Sequence, residues 1–122
     1  MKKVLIIEDD LDMARSLGEI LQREGLEVVY ASEGYQSVEL AHEKKPDLVI
    51  LDLVIPLGDG LWVLQKLREF PGTKDIPVVI ITGSSDEKFM QRVKKEGVDA
   101  FLSKPFDVDR LLSTIDKLLR EK

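Results

Sequence analysis

Three runs of four residues, at 4–7, 48–51 and 78–81, consist only of valine, leucine and isoleucine. A strand with one wet face alternates apolar and polar side chains. An unbroken aliphatic run instead fits a strand buried on both faces, as when helices cover both sides of a parallel sheet. Helical periodicity fills the intervals. Leu11, Ala14, Leu17 and Leu21 lie at helical spacing, and Gly25 stops that stripe. Residues 28–31 read as a second strand, followed by a weaker helix marked by Val38 and Ala41 and closed at 44–46. The third strand is read over 47–52. Leu61, Leu64 and Leu67 mark a third helix that ends before Pro71 and Gly72.

The fourth strand is read over 78–82. Ser84 and Glu87 have capping-box spacing ahead of a helix with Phe89, Met90 and Val93 on its inner face, ended by Gly97. The fifth strand is 100–103. Asp107 then stands where an N-cap is needed for a last helix carrying Leu111, Leu112, Ile115, Leu118 and Leu119. The expected fold is α/β, a (βα)5 chain with a doubly wound five-stranded parallel sheet. Five strands favour the order 2-1-3-4-5. No linker, repeat or low-complexity tail interrupts residues 1–122, so one domain is expected, with no room for an output domain.

Bulk properties exclude several functions. A net charge of −5 argues against a chain that binds nucleic acid by itself, which needs a basic face. The absence of cysteine removes disulfides and thiolate metal sites. The apolar runs fall far short of the roughly 20 residues of a membrane span, and the one after Lys2 and Lys3 stops at Glu8, unlike a signal peptide. A cytoplasmic setting is the expectation.

Polar residues close four of the strands: Glu8 and Asp9, Asp52, Thr82, and Lys104 before Pro105. In an open parallel sheet the carboxyl ends of the strands share one edge, and ligands bind there. Carboxylates, a hydroxyl and an ammonium should therefore meet. Such a set can hold a hard cation and offer a carboxylate nucleophile to phosphorus. An aspartate ending a run of buried aliphatics is costly unless the site uses its charge.

The motifs at 4–10, 52–60, 82–83 and 104–106, in this order and on these elements, resemble those of bacterial two-component response regulator receiver domains. The resemblance covers essentially the whole chain. It implies that Asp52 is the phosphoacceptor and that Glu8 and Asp9 hold Mg2+ (Mn2+ as substitute) together with Asp52 and the backbone carbonyl of Val54. Asp9 and Asp52 would ligate directly. It implies that Lys104, whose bond to the following proline is often cis in this family, pairs with the phosphoryl oxygens. Thr82 would be the switch hydroxyl and Phe101 an aromatic that follows it, although Phe101 serves equally well as a packing residue. The implied partners are a sensor histidine kinase or a phosphotransfer protein and a downstream protein target, reached through a surface around the fourth helix, fifth strand and fifth helix. The chain would be a monomer or transient dimer, and a switch rather than a turnover enzyme.

Asp10 reads as a helix cap rather than a metal ligand, and His42 and Trp62 as surface and packing residues. Two enzyme or cofactor readings fit poorly. A dehalogenase-type phosphohydrolase needs a second acid two residues after its nucleophile, where this chain has Val54. A nucleotide- or flavin-binding module needs a phosphate loop after the first strand, where Glu8, Asp9 and Asp10 would repel phosphate. A receiver that only binds partners, or a receiver piece of a transcription regulator, are the remaining alternatives. In the family, position 54 flanks the path of the hydrolytic water, and an aliphatic side chain cannot hydrogen-bond it. Val54→Asn is therefore expected to shorten the phosphoryl lifetime; equal lifetimes in an autodephosphorylation assay would refute this.

Overall fold

A computed structural model describes residues 1–53, 60–83 and 87–121. Five strands, β1 (Lys3–Ile7), β2 (Glu27–Ala31), β3 (Leu48–Asp52), β4 (Val78–Thr82) and β5 (Ala100–Ser103), alternate with five helices. The helices are α1 (Leu11–Arg23), α2 (Gly34–Lys44), α3 (Gly60–Glu69), α4 (Glu87–Lys95) and α5 (Val108–Arg120). All strand pairs are parallel, in the order β2-β1-β3-β4-β5. The three all-aliphatic runs are β1, β3 and β4, the inner strands, buried almost throughout. β2 and β5 are the edges and expose part of their length.

The pleat divides the core. Side chains alternate along a strand, so successive residues enter different layers. Leu5, Ile7, Val49, Leu51, Val78 and Ile80 pack with α2, α3 and α4, including Leu64, Leu67 and Val93. Val4, Ile6, Leu48, Ile50, Val79, Ile81 and Leu102 pack with α1 and α5, including Leu17, Leu21, Leu111 and Ile115.

The helix ends follow from local chemistry. The Asp10 carboxylate accepts from the N–H groups of Asp12 and Met13, and the Asp107 carboxylate from those of Asp109 and Arg110. Each satisfies two donors that the first turn leaves without helical partners. Gly25 (φ 82°) and Gly97 (φ 87°) reverse the chain after α1 and α4 in the left-handed region that glycine enters at little cost.

Three expectations are refined. Leu11 is 61% exposed: as the first residue of α1 it lies above the sheet edge, beyond the reach of the core. β2 begins at Glu27, whose N–H pairs with the Lys2 carbonyl. β3 begins at Leu48 because Asp47 acts as a bracket, its carboxylate accepting from the Lys3 N–H at 2.8 Å. The Ser84 cap and Val54 lie outside the described residues.

Candidate functional site

The site is assembled by the pleat. Glu8 and Lys104 each extend the ladder one residue past β1 and β5, through Glu8 N–H to the Ala31 carbonyl and Lys104 N–H to the Thr82 carbonyl. Glu8 follows the even positions of β1, Asp52 those of β3, and Lys104 those of β5. All three therefore share the α1/α5 side of the sheet at its carboxyl edge. The side chains meet there. Lys104 Nζ lies 2.9 Å from Glu8 Oε1 and 2.9 Å from Asp52 Oδ2. Glu8 and Asp52 are buried, whereas Asp9 is exposed. One carboxylate oxygen from each of Glu8, Asp9 and Asp52 lies within 4.8 Å of the others.

Thr82 and Phe101 belong to the opposite face. Thr82 follows Val78 and Ile80, and Phe101 pairs in register with Ile80, so both fall on the α4 side. Thr82 is buried and Phe101 half-buried, with Lys94 Nζ of α4 5.4 Å from the Phe101 ring centre. Gly83 leaves room beside Lys104, since a Cβ there would stand 3.9 Å from Lys104 Cβ. The Lys104–Pro105 bond is cis. His42 is exposed and edge-on to Phe70, and Trp62 packs beside Tyr35 across α2 and α3, both away from the site.

The electrostatics follow from this crowding. Burial lifts the Glu8 carboxyl above the ordinary glutamate range; the Lys104 hydrogen bond opposes that lift, and nearby Asp52 adds to it. Burial alone would lower the Lys104 ammonium, but its bonds to Glu8 and Asp52 outweigh that and hold it above the usual lysine value. A raised lysine contributes stability that is fully present below its unfolded value of 10.5 and is lost as pH rises through its folded value. The melting-temperature gap between the wild type and Lys104→Met is thus expected to stay constant through neutral pH and to narrow above 10.5. A gap that persists unchanged at strongly alkaline pH would refute the pairing.

An all-oxygen set of three carboxylates suits a hard divalent cation better than a soft one. The cluster is self-repelling without a cation, and Lys104 supplies one positive charge where three negative groups converge. The residues therefore fit a divalent metal, and the buried Asp52 carboxylate has the chemistry of a ligand or a nucleophile. The sequence placed Glu8 with the metal but did not reveal its ion pair with Lys104, 96 residues away, because that contact depends on strand register.

A response regulator receiver domain model matches residues 4–116. The chain is 37% identical over 120 residues to the DNA-binding dual master transcriptional regulator RpaA of Synechocystis sp., covering 98% of this chain but 50% of that protein. Against sporulation initiation phosphotransferase F of Bacillus subtilis it is 30% identical over 118 residues, covering 97% of this chain and 94% of the relative. The chain thus spans about half the length of some curated relatives and nearly all of others. The receiver domain of a signal transduction histidine kinase from Syntrophus aciditrophicus superposes with a TM-score of 0.93 at 30% identity, over 99% of this chain and 92% of that one. With its strand order, its acidic cluster and its bridging lysine in place, the chain belongs to the response regulator receiver domain family.

Proposed function

We propose that residues 1–122 form a single receiver domain that works as a phosphorylation-activated signalling switch, with Asp52 as the phosphoacceptor. The observation that carries this reading is the Lys104 ammonium held 2.9 Å from Asp52 at the edge of a three-carboxylate group. An Asp52 oxygen attacks phosphorus in line. The new P–O bond forms as the donor's P–N bond to a phosphohistidine breaks, and the leaving imidazole takes up a proton. Lys104 is within reach of the oxygens of a group attached to Asp52 and would pair with them.

Mg2+, or Mn2+ in its place, would be held by Asp9 and Asp52 with Glu8 nearby and the Val54 carbonyl as a further ligand. It supplies charge neutralisation between the nucleophile and the incoming phosphate. Thr82 donates to a phosphoryl oxygen. Because Thr82 and Phe101 share the α4 face, that contact shifts the populations of two packings there. The donor is a sensor histidine kinase or a phosphotransfer protein, in keeping with the relative named a phosphotransferase. The reader is a downstream protein engaged through α4, β5 and α5. DNA binding, named for RpaA, is not carried over, in line with a net charge of −5.

The chain acts in the cytoplasm as a monomer or transient dimer and assists its own modification rather than turning over a substrate. No helix among the described residues is long and apolar enough to cross a membrane. The test is intact-protein mass after incubation with acetyl phosphate. A gain of one phosphoryl group with Mg2+ and none with a chelator supports the reading; no gain in folded protein under either condition refutes it.

A further inference from the structure

We propose that the cavity between the starts of α1 and α2 is a binding site for a small organic oxyanion, a carboxylate or phosphate carried on a flat apolar body. The site goes beyond the switch function and does not depend on it.

The cavity encloses about 460 Å3, within the range of small-molecule sites. It lies at the carboxyl end of the edge strand β2, on the α1 side of the sheet, since Tyr30 pairs in register with Ile6. Tyr30 and Ser32 line it from the end of β2, Leu11 and Arg15 from α1, and Gln36 from the start of α2. Glu8 reaches it from the neighbouring strand.

Two of the walls are apolar surface that the core leaves uncovered. Leu11 is 61% exposed and Tyr30 42%. The Tyr30 ring is also held in place, with its hydroxyl so close over Gly18 of α1 that an added Cβ there would overlap it. A flat apolar ligand would cover both side chains at once.

The polar groups set the sign of the ligand. Among the described residues Arg15 has no ion-pair or hydrogen-bond partner, although Asp12 and Glu19 stand one turn away on α1. The nearby acceptors are already engaged. The Gln36 side-chain oxygen accepts from the Ser32 N–H at 3.0 Å, and the two Glu8 oxygens accept from Lys104 and from the Asp10 N–H. The Asp10 and Glu33 carboxylates are spent on capping α1 and α2. The groups left over are donors: the Arg15 guanidinium, the Gln36 side-chain nitrogen and the Ser32 and Tyr30 hydroxyls. A cationic ligand would meet the unpaired Arg15, and a plain hydrocarbon would leave these donors without acceptors. An oxyanion satisfies them, and the planar fork of arginine matches the paired oxygens of a carboxylate or phosphate.

The test titrates isotope-labelled wild type, Arg15→Ala, Arg15→Lys and Gly18→Ala with naphthoate, naphthyl phosphate and the neutral naphthalenemethanol. A chelator keeps the acidic cluster free of metal, and amide NMR shifts report both folding and the place of binding. Both oxyanions are expected to shift residues 11–18 and 30–36 with a dissociation constant of about 1 mM, as suits ligands of this size. Arg15→Ala should weaken them about fivefold and leave naphthalenemethanol unchanged, while Arg15→Lys, which keeps the charge without the fork, should weaken them about twofold. Gly18→Ala pushes the tip of the Tyr30 ring aside and should weaken all three probes about threefold. Tighter binding of one oxyanion, with Arg15 dependence in both, supports the site and names its head group. Shifts centred on Thr82, Gly83 and Lys104, the lack of any saturable shift, or oxyanion binding unchanged by Arg15→Ala would overturn the proposal.

Discussion

Asp52→Asn is expected to gain no phosphoryl group from acetyl phosphate at any Mg2+ concentration, while remaining folded. The amide is neutral, so it offers neither the nucleophilic oxygen nor the charge that the site is built around. The substitution keeps the shape of a side chain that is buried at the end of β3. It removes one of the two carboxylates that hold Lys104, but Glu8 still pairs with that ammonium, so no buried charge is left uncompensated. It also takes one negative charge out of a crowded group, which offsets part of the lost ion pair. Loss of modification should therefore come without collapse. Intact mass and a thermal melt on the same sample separate the two. A modified Asp52→Asn protein would show that another side chain is the acceptor.

Gly60→Ala is expected to produce the largest loss of stability of any single methyl addition described for this chain. An ideal Cβ at Gly60 would stand 2.4 Å from Leu53 Cα and 2.7 Å from the Leu53 carbonyl oxygen. Neither atom can turn aside, because both are backbone. The Gly60 N–H also donates to that carbonyl at 2.8 Å, so the start of α3 is seated directly on the residue after Asp52. Relieving the overlap means moving α3, whose Leu61, Val63, Leu64 and Leu67 are all buried. Overpacking of this kind costs about 3 kcal/mol. For a domain of this size that lowers Tm by about 10 °C. Gly72→Ala is the control, since nothing lies within 4 Å of its added methyl. Equal melting temperatures for the two variants would sink the argument.

The parts of the fold legible in the sequence were those written in one residue class at short range. The aliphatic runs announced β1, β3 and β4, because two-sided burial leaves no place for a polar residue. Asp10, Asp107, Gly25 and Gly97 announced helix ends, because capping is a local transaction between a side chain and its own backbone. The meeting of Asp52, Glu8 and Lys104 was also foreseeable, since the carboxyl edge of a parallel sheet gathers whatever follows its strands. What was not legible depends on register or on backbone partners. Arg68 donates to the carbonyls of Gly97, Lys74 and Ile76 and pairs with Asp99, which in turn accepts from the Val78 N–H. That bolt ties α3 to the turns before β4 and β5, and no motif marks it because most of its acceptors are carbonyls that every residue has. The contrast between buried Glu8 and exposed Asp9 was hidden for the same reason. Two adjacent acids look alike until the fold buries one and leaves the other at the surface.

The alternation of side chains across the sheet has a consequence for how such a chain can diverge. Glu8, Asp52 and Lys104 stand on one side of the sheet, and Thr82 and Phe101 on the other, with one layer of backbone between them. That layer works as a partition wall between the two. Under the proposed roles, substitutions in the room beneath α4 can rewrite which partner listens while the reagent side keeps its wiring. The side chains facing α1 and α5 can in turn be tuned for how quickly the message is written and erased. Partner choice and signal duration become separately inheritable traits of a single small domain.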